Sequence, residues 1–122
     1  MTNDYTFKWQ KHDLTISAEV ARSNLAAYAD RVELHVGWIP EHFHRVETER
    51  FCLVHIDVDL YQPTLDAAEF FYQRLNPGGM LVCDDYGSLA CPGAKQAMDE
   101  VAAKAGTRVI HLTTGQGLIS KT

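Results

Sequence analysis

The sequence predicts an α/β domain with a mainly parallel sheet and an antiparallel hairpin at its end. Three observations point there. Two apolar runs, residues 51–56 and 80–83, each stop abruptly on aspartates. Stretches of helical period alternate with them, as crossovers between parallel strands require. Finally, Thr113-Thr114-Gly115-Gln116-Gly117 separates two short apolar stretches, the pattern of a hairpin turn.

Residues 1–14 are polar and aperiodic and predict neither helix nor strand. Ser17 offers an N-cap, and Ala21, Leu25 and Tyr28 share a face at helical spacing, so a helix is expected over 18–29. Val32, Leu34 and Val36 alternate with Glu33 and His35, the period of a half-buried strand. Gly37 and Trp38 close it, and Pro40 begins an irregular or short helical link. The run 51–56, Phe-Cys-Leu-Val-His-Ile, is almost continuously apolar, which predicts a parallel strand covered on both faces. A helix follows over 63–75, with Pro63 in its first turn and Phe70, Phe71 and Leu75 facing inward. Asn76-Pro77-Gly78-Gly79 reads as a turn. Met80-Leu81-Val82-Cys83 is the second buried strand, ending on Asp84 and Asp85. A helix over 93–105 turns Ala97, Met98 and Val101 inward and ends on Gly106. Residues 109–112 and 118–120 form the closing strands.

The chain has 122 residues and a formal net charge of −5, with 46% hydrophobic and 22% charged residues. That describes one globular domain with enough chain to bury roughly two-thirds of its unfolded surface. The negative charge argues against nucleic acid or an anionic membrane as partner. No apolar run reaches the ~20 residues of a membrane span. Cys52 and Cys83 lie in apolar runs and Cys91 in a loop, so the three cysteines read as reduced, buried thiols of a cytoplasmic protein.

Ligands of open α/β sheets gather beyond the carboxyl ends of the strands. Neighbouring strands lie ~4.8 Å apart, so Asp57 and Asp84 are expected in one crevice. Carboxylates so close repel, and one pKa rises unless a cation neutralises them. A hard divalent ion, Mg²⁺ above all, suits oxygen ligands of this kind. Asp59, two residues further along, is an alternative ligand. His42 and His44 suggest zinc only weakly, having no cysteine near them. His55 reads as a packed strand residue, and Tyr61 and Tyr86 as either strand-end anchors or pocket walls. Gly78-Gly79 precedes a strand, so it is no phosphate loop.

The run His55-Ile56-Asp57-Val58-Asp59-Leu60-Tyr61, with Pro63-Thr64, Gly78-Gly79 and Asp84-Asp85-Tyr86, resembles the macrocin O-methyltransferase family, whose members methylate sugar hydroxyls of macrolides and related natural products. Asn24-Leu25, Gly37-Trp38, Cys91-Pro92-Gly93-Ala94 and Thr114-Gly115-Gln116-Gly117 extend the likeness over residues 17–121. The resemblance implies a Rossmann-like methyltransferase sheet, S-adenosylmethionine as cofactor, a divalent metal and a small-molecule hydroxyl acceptor. It implies Asp57 as metal ligand and general base, Asp84 and Asp85 as the remaining metal ligands, and Gly37 and Trp38 beside the cofactor's adenine, with Asp57 also in the cofactor site.

The family pattern also has two earlier strands, a glycine-rich loop and a ribose-binding acid. Here the first glycine is Gly37, and Asp4 is isolated. Residues 1–122 are therefore expected to form one partial methyltransferase domain, truncated at the N-terminus. Its strand at 51–56 would then be left without an outer neighbour. Such an edge predicts a homo-oligomer, or insertion of the 32–36 strand into the gap. Asp57-Val58-Asp59 also fits a metal-dependent glycosyltransferase, which the second acid pair disfavours, and a phosphatase, which Leu60-Tyr61 disfavours. A non-catalytic oligomerisation module is the remaining alternative.

Overall fold

The computed structural model describes residues 15–122; the N-terminal segment read as aperiodic, with Asp4, lies outside them. Four strands form one mixed sheet: β1 (Phe51–Ile56), β2 (Leu75–Cys83), β3 (Ile110–His111) and β4 (Gly117–Ser120), in the order β1-β2-β4-β3. Three α-helices accompany it: α1 (Ala18–Asn24), α2 (Tyr61–Arg74) and α3 (Pro92–Lys104). β1 and β2 are parallel and joined through α2, whereas β2–β4 and β4–β3 are antiparallel. The α/β class and the closing hairpin thus agree with expectation.

The sheet has two unlike faces. Val54 and Ile56 of β1 stand in register with Leu81 and Cys83 of β2, which in turn pair with Ile119 and Gly117 of β4. Since alternate residues share a face, these side chains form one surface, and it is buried. Ala67 and Ala68 of α2 pack there with Ala94, Met98, Val101 and Ala102 of α3. Alanines let the helices approach closely, and α2 is linked to α3 by Lys104–Glu69 at 2.6 Å and Tyr61 Oη–Glu100 at 2.7 Å. The opposite face carries Leu53, 56% exposed, and Met80, 41% exposed. β1 is therefore not covered on both faces. A continuous apolar run reflects the strand's composition and cannot tell how many layers surround it.

Helix ends follow their chemistry. The Ser17 hydroxyl accepts from the Val20 N–H, as an N-cap should. α3 stops where Gly106 takes a φ of 68°, with the Gly106 and Thr107 amides donating to Ala103 and Ala102. Thr64, fully buried in α2, turns its hydroxyl back to the Leu60 carbonyl at 2.6 Å. Phe70 and Phe71 are half-buried and meet Phe43 from a short 3-10 helix, with ring centroids 4.6 and 5.0 Å apart.

Three local expectations fail. The helix over 18–29 is divided: α1 ends at Asn24, and a kinked 3-10 stretch at Tyr28 follows. Residues 32–36 form no strand, because alternation supplies a face but no partner for the backbone, and β1 pairs only with β2. Residues 76–79 belong to β2 rather than to a free turn; the Gly78 amide donates to Lys121 at 2.8 Å and the Lys121 amide to Gly79 at 2.9 Å. Of the cysteines, all free, Cys83 and Cys91 are buried but Cys52 is exposed. No helix among the described residues is long and apolar enough to cross a membrane.

Candidate metal centre

The parallel register fixes the acids. Ile56 lies opposite Cys83, and the Asp84 amide continues the ladder by donating to the Ile56 carbonyl at 2.9 Å. Asp57 and Asp84 therefore leave adjacent strands at the same level. Ligand oxygens of Asp57, Asp84 and Asp85 all lie within 4.8 Å of one another. The crossover that the sequence predicts has brought together the three acids it singles out.

Asp59 joins from the other side. It takes a φ of 61°, a left-handed conformation that aspartate tolerates better than most residues. Its amide donates to Asp85 Oδ2 at 3.2 Å, and Asp59, Asp85 and Cys91 make a second group of potential ligands. Asp85 is thus shared between both groups. Among the described residues these are the two groups found, and neither contains a histidine. His42 Nε2 instead meets the Val36 carbonyl at 2.7 Å, and His44 Nδ1 the Glu41 carbonyl at 3.1 Å. Among the described residues, neither histidine belongs to a group of three potential ligands.

The electrostatics match the crowding. Asp85 is pushed up to about 6, first by burial and then by the charge of Asp59, with the Asp59 amide pulling the other way. Asp57 is raised by burial, then by Asp84 and Asp59, and is eased by His55. Burial also lifts the Cys83 and Cys91 thiols to about 11, which keeps them protonated and inert as nucleophiles at neutral pH. Three oxygen donors from convergent carboxylates, one of them reluctant to ionise, fit a hard divalent cation in charge and in donor type.

Two neighbours of Asp84 carry more than their sequence context suggested. His55 Nε2 lies 3.5 Å from Asp84 Oδ1, so this residue borders the acids rather than serving only as strand packing. The Gln116 side-chain amide donates to the same oxygen at 2.9 Å. The signal for Gln116 lies in register: β4 pairs Gly117 with Cys83, so the residue before Gly117 falls opposite the residue after Cys83. Tyr86 is buried against Gly117, with its hydroxyl donating to Asp99 at 2.7 Å, so it is a wall of the fold beside the site. Tyr61, the other flanking aromatic, reaches Glu100.

Gly37 and Trp38 occupy a different loop. The Trp38 amide donates to Glu41 Oε2 at 3.3 Å, and a Cβ on Gly37 would come within 2.6 Å of His42 Nε2, so any larger residue would displace that ring. Trp38 is 64% exposed.

Comparison with known proteins supplies the context for these acids. The sequence matches the family described as macrocin-O-methyltransferase (TylF) over residues 2–109. It is 36% identical over 84 residues to the 8-demethyl-8-(2,3-dimethoxy-alpha-L-rhamnosyl)-tetracenomycin-C 4'-O-methyltransferase of Streptomyces olivaceus, covering 66% of this chain and 32% of that one. To the demethyldecarbamoylnovobiocin O-methyltransferase of Streptomyces niveus it is 31% identical over 94 residues, 75% of this chain and 35% of the relative. The solved structure of the O-methyltransferase NovP matches with a TM-score of 0.67 at 29% identity, over 89% of this chain and 46% of that one. CalS11, a TDP-rhamnose 3'-O-methyltransferase, shares the fold with a TM-score of 0.54 at 22% identity, over 67% of this chain and 36% of its own. The chain spans about a third of the length of the curated relatives it matches.

Proposed function

The chain belongs to the macrocin O-methyltransferase family, and on that footing we propose that it serves methyl transfer from S-adenosylmethionine to a hydroxyl of a sugar or related natural product, with a divalent cation held by Asp57, Asp84 and Asp85. The observation that carries this reading is the convergence of three carboxylates from two strand ends within 4.8 Å. Family membership sets aside the glycosyltransferase and phosphatase readings of Asp57-Val58-Asp59. The acceptor class follows the relatives, whose names describe methylation of a rhamnosyl tetracenomycin and of demethyldecarbamoylnovobiocin.

When bound, S-adenosylmethionine supplies an electrophilic methyl group, and the cation supplies positive charge that favours ionisation of a hydroxyl. The chain's own residues do the rest. Asp84 and Asp85 hold the cation with Asp57. Asp57 would accept the proton of the acceptor hydroxyl, and bound S-adenosylmethionine would supply the methyl group that the oxygen takes from sulfur. In the metal-free centre burial and the charges of Asp84 and Asp59 raise the Asp57 pKa, so a cation that neutralises these acids is favoured there. Gly37 and Trp38 would lie beside the adenine, with the exposed Trp38 side chain offering a stacking surface.

Calorimetric titration with Mg²⁺ or Mn²⁺ tests the centre. Wild type is expected to bind one ion and Asp84→Asn to lose it; equal affinity in both proteins would overturn the site. We further expect a homo-oligomer, since β1 lies at the end of the sheet and its Leu53 face is open. Light scattering across a tenfold concentration range would refute this with a constant 13.7 kDa species.

A further inference from the structure

We propose that Gln116 is a positioning residue for the acid centre, fixing the Asp84 carboxylate for a divalent cation, and that Thr114 sets which way the Gln116 amide faces. The inference rests on the reading of Asp57, Asp84 and Asp85 as cation ligands.

A glutamine side chain ends in two groups of similar shape and opposite hydrogen-bonding sense, and only one orientation suits a carboxylate. Gln116 Nε2 donates to Asp84 Oδ1 at 2.9 Å; the reversed amide would set oxygen against oxygen. Thr114 removes the ambiguity. Its hydroxyl lies 3.1 Å from Gln116 Oε1, where it donates, and the same hydroxyl accepts from the Gln116 backbone amide at 3.5 Å. The result is a directed chain, from hydroxyl to amide to carboxylate.

The turn that carries this chain is anchored independently. Gly115 takes a φ of 91°, and its carbonyl accepts from the Gly87 amide at 2.7 Å, two residues after Asp85. The Leu112 amide donates to the Gln116 carbonyl at 2.8 Å. A Cβ on Gly87 would lie 2.7 Å from the Gly115 oxygen and 2.5 Å from His111 Nε2, so the acid-bearing loop and the hairpin turn touch backbone to backbone.

Asp84 Oδ1 thus has a donor from the hairpin turn and His55 of β1 at 3.5 Å on its other side. Both engage the same oxygen, which leaves Oδ2 for a cation. An exposed carboxylate otherwise rotates freely, and arresting it beforehand removes an entropic cost from binding. Gln116 achieves this without adding charge, so it leaves the attraction of the three acids for a cation undiminished. Outer partners of metal ligands typically contribute ~10–100-fold in affinity.

Two measurements on the full chain test the assignment. Mn²⁺ titration by calorimetry is expected to show about 10-fold weaker binding in Gln116→Met, which keeps the shape and removes the donor. Thr114→Val should weaken binding in the same direction, whereas Thr114→Ser, which keeps the hydroxyl, should restore it. Unchanged melting temperatures would separate this from unfolding. In the metal-free protein, the side-chain amide resonances of Gln116 should move on Asp84→Ala. Wild-type binding with Gln116→Met equally tight would overturn the positioning role alone. No Mn²⁺ binding in the wild type would overturn the cation reading and this inference with it, and amide resonances indifferent to Asp84→Ala would refute the hydrogen bond itself.

Discussion

Among the described residues, the buried core runs from Ile56 to Ile119, whereas neither α1 nor the two 3-10 helices before residue 50 buries a single residue. The two regions are joined chiefly through Phe43, which stacks on Phe70 and meets Phe71 edge-on, and through Arg74, which donates to the Glu47 carbonyl at 2.9 Å and lies 3.6 Å over the Phe70 ring. The proposed parts of the centre divide along the same boundary. The acids and Gln116 stand on strands and a turn locked into the core, while Gly37 and Trp38 ride on the lightly packed side. Few buried contacts mean a low free energy of local opening. One region is therefore built to hold charges in place, and the other to yield.

The contrast is sharpest under deletion of packing. Leu81→Ala removes a side chain with no exposed surface, and the cost is expected at ~2–5 kcal/mol. Urea denaturation should show it, with acids and hairpin unfolding together. Phe43→Ala should cost less, about 1 kcal/mol, because it severs ring contacts of a half-buried residue. Hydrogen exchange should rise across residues 37–46 and remain slow in β2; faster exchange in β2 would show that the two regions are one cooperative unit.

The third effect is electrical and confined to the core region. Asp85 has a folded pKa of about 6 against an ordinary 3.8, so between those values the folded state binds more protons than the unfolded. Stability should then fall as pH rises from about 4 to 6 and level off above, with Asp57 adding in the same direction. Asp85→Asn should flatten that window and be the more stable protein at pH 7 without divalent ions. Saturating Mg²⁺ should reverse the order at pH 7, because only the wild type keeps all three ligands. Melting curves at pH 4 and pH 7, with and without the ion, check both statements.

Much of the core region was legible in the sequence, and the reason is local. Apolar runs ending on acids, a crossover of helical period and a Gly-bearing hairpin each carry their own signal, so the sequence alone groups Asp57 with Asp84 and Asp85. The segment 32–36 misled because its alternation is equally local, while strand formation requires a partner supplied from elsewhere. The link from Gln116 to Asp84 was illegible for the opposite reason. Nothing near it in sequence points to Asp84, 32 positions earlier; only the pairing of Cys83 with Gly117 brings them together. Cys52 and Leu53 look like core in any window of sequence, and they are exposed because covering a strand is a property of layers.

The strand order carries a consequence for the timing of assembly. β4 is furthest along the chain of the four, yet it sits between β2 and β3. On a ribosome, where chains emerge from the N-terminal end first, β1, α2, β2 and α3 can be synthesised and still lack the strand that fills an interior slot. Ile119, fully buried against Leu81, has to arrive before that half of the core closes. The acids are therefore made well before the turn that carries Gln116, and an incomplete chain would display three crowded carboxylates without their hydrogen-bond partner. Completion of the sheet and arrest of the Asp84 carboxylate become the same event.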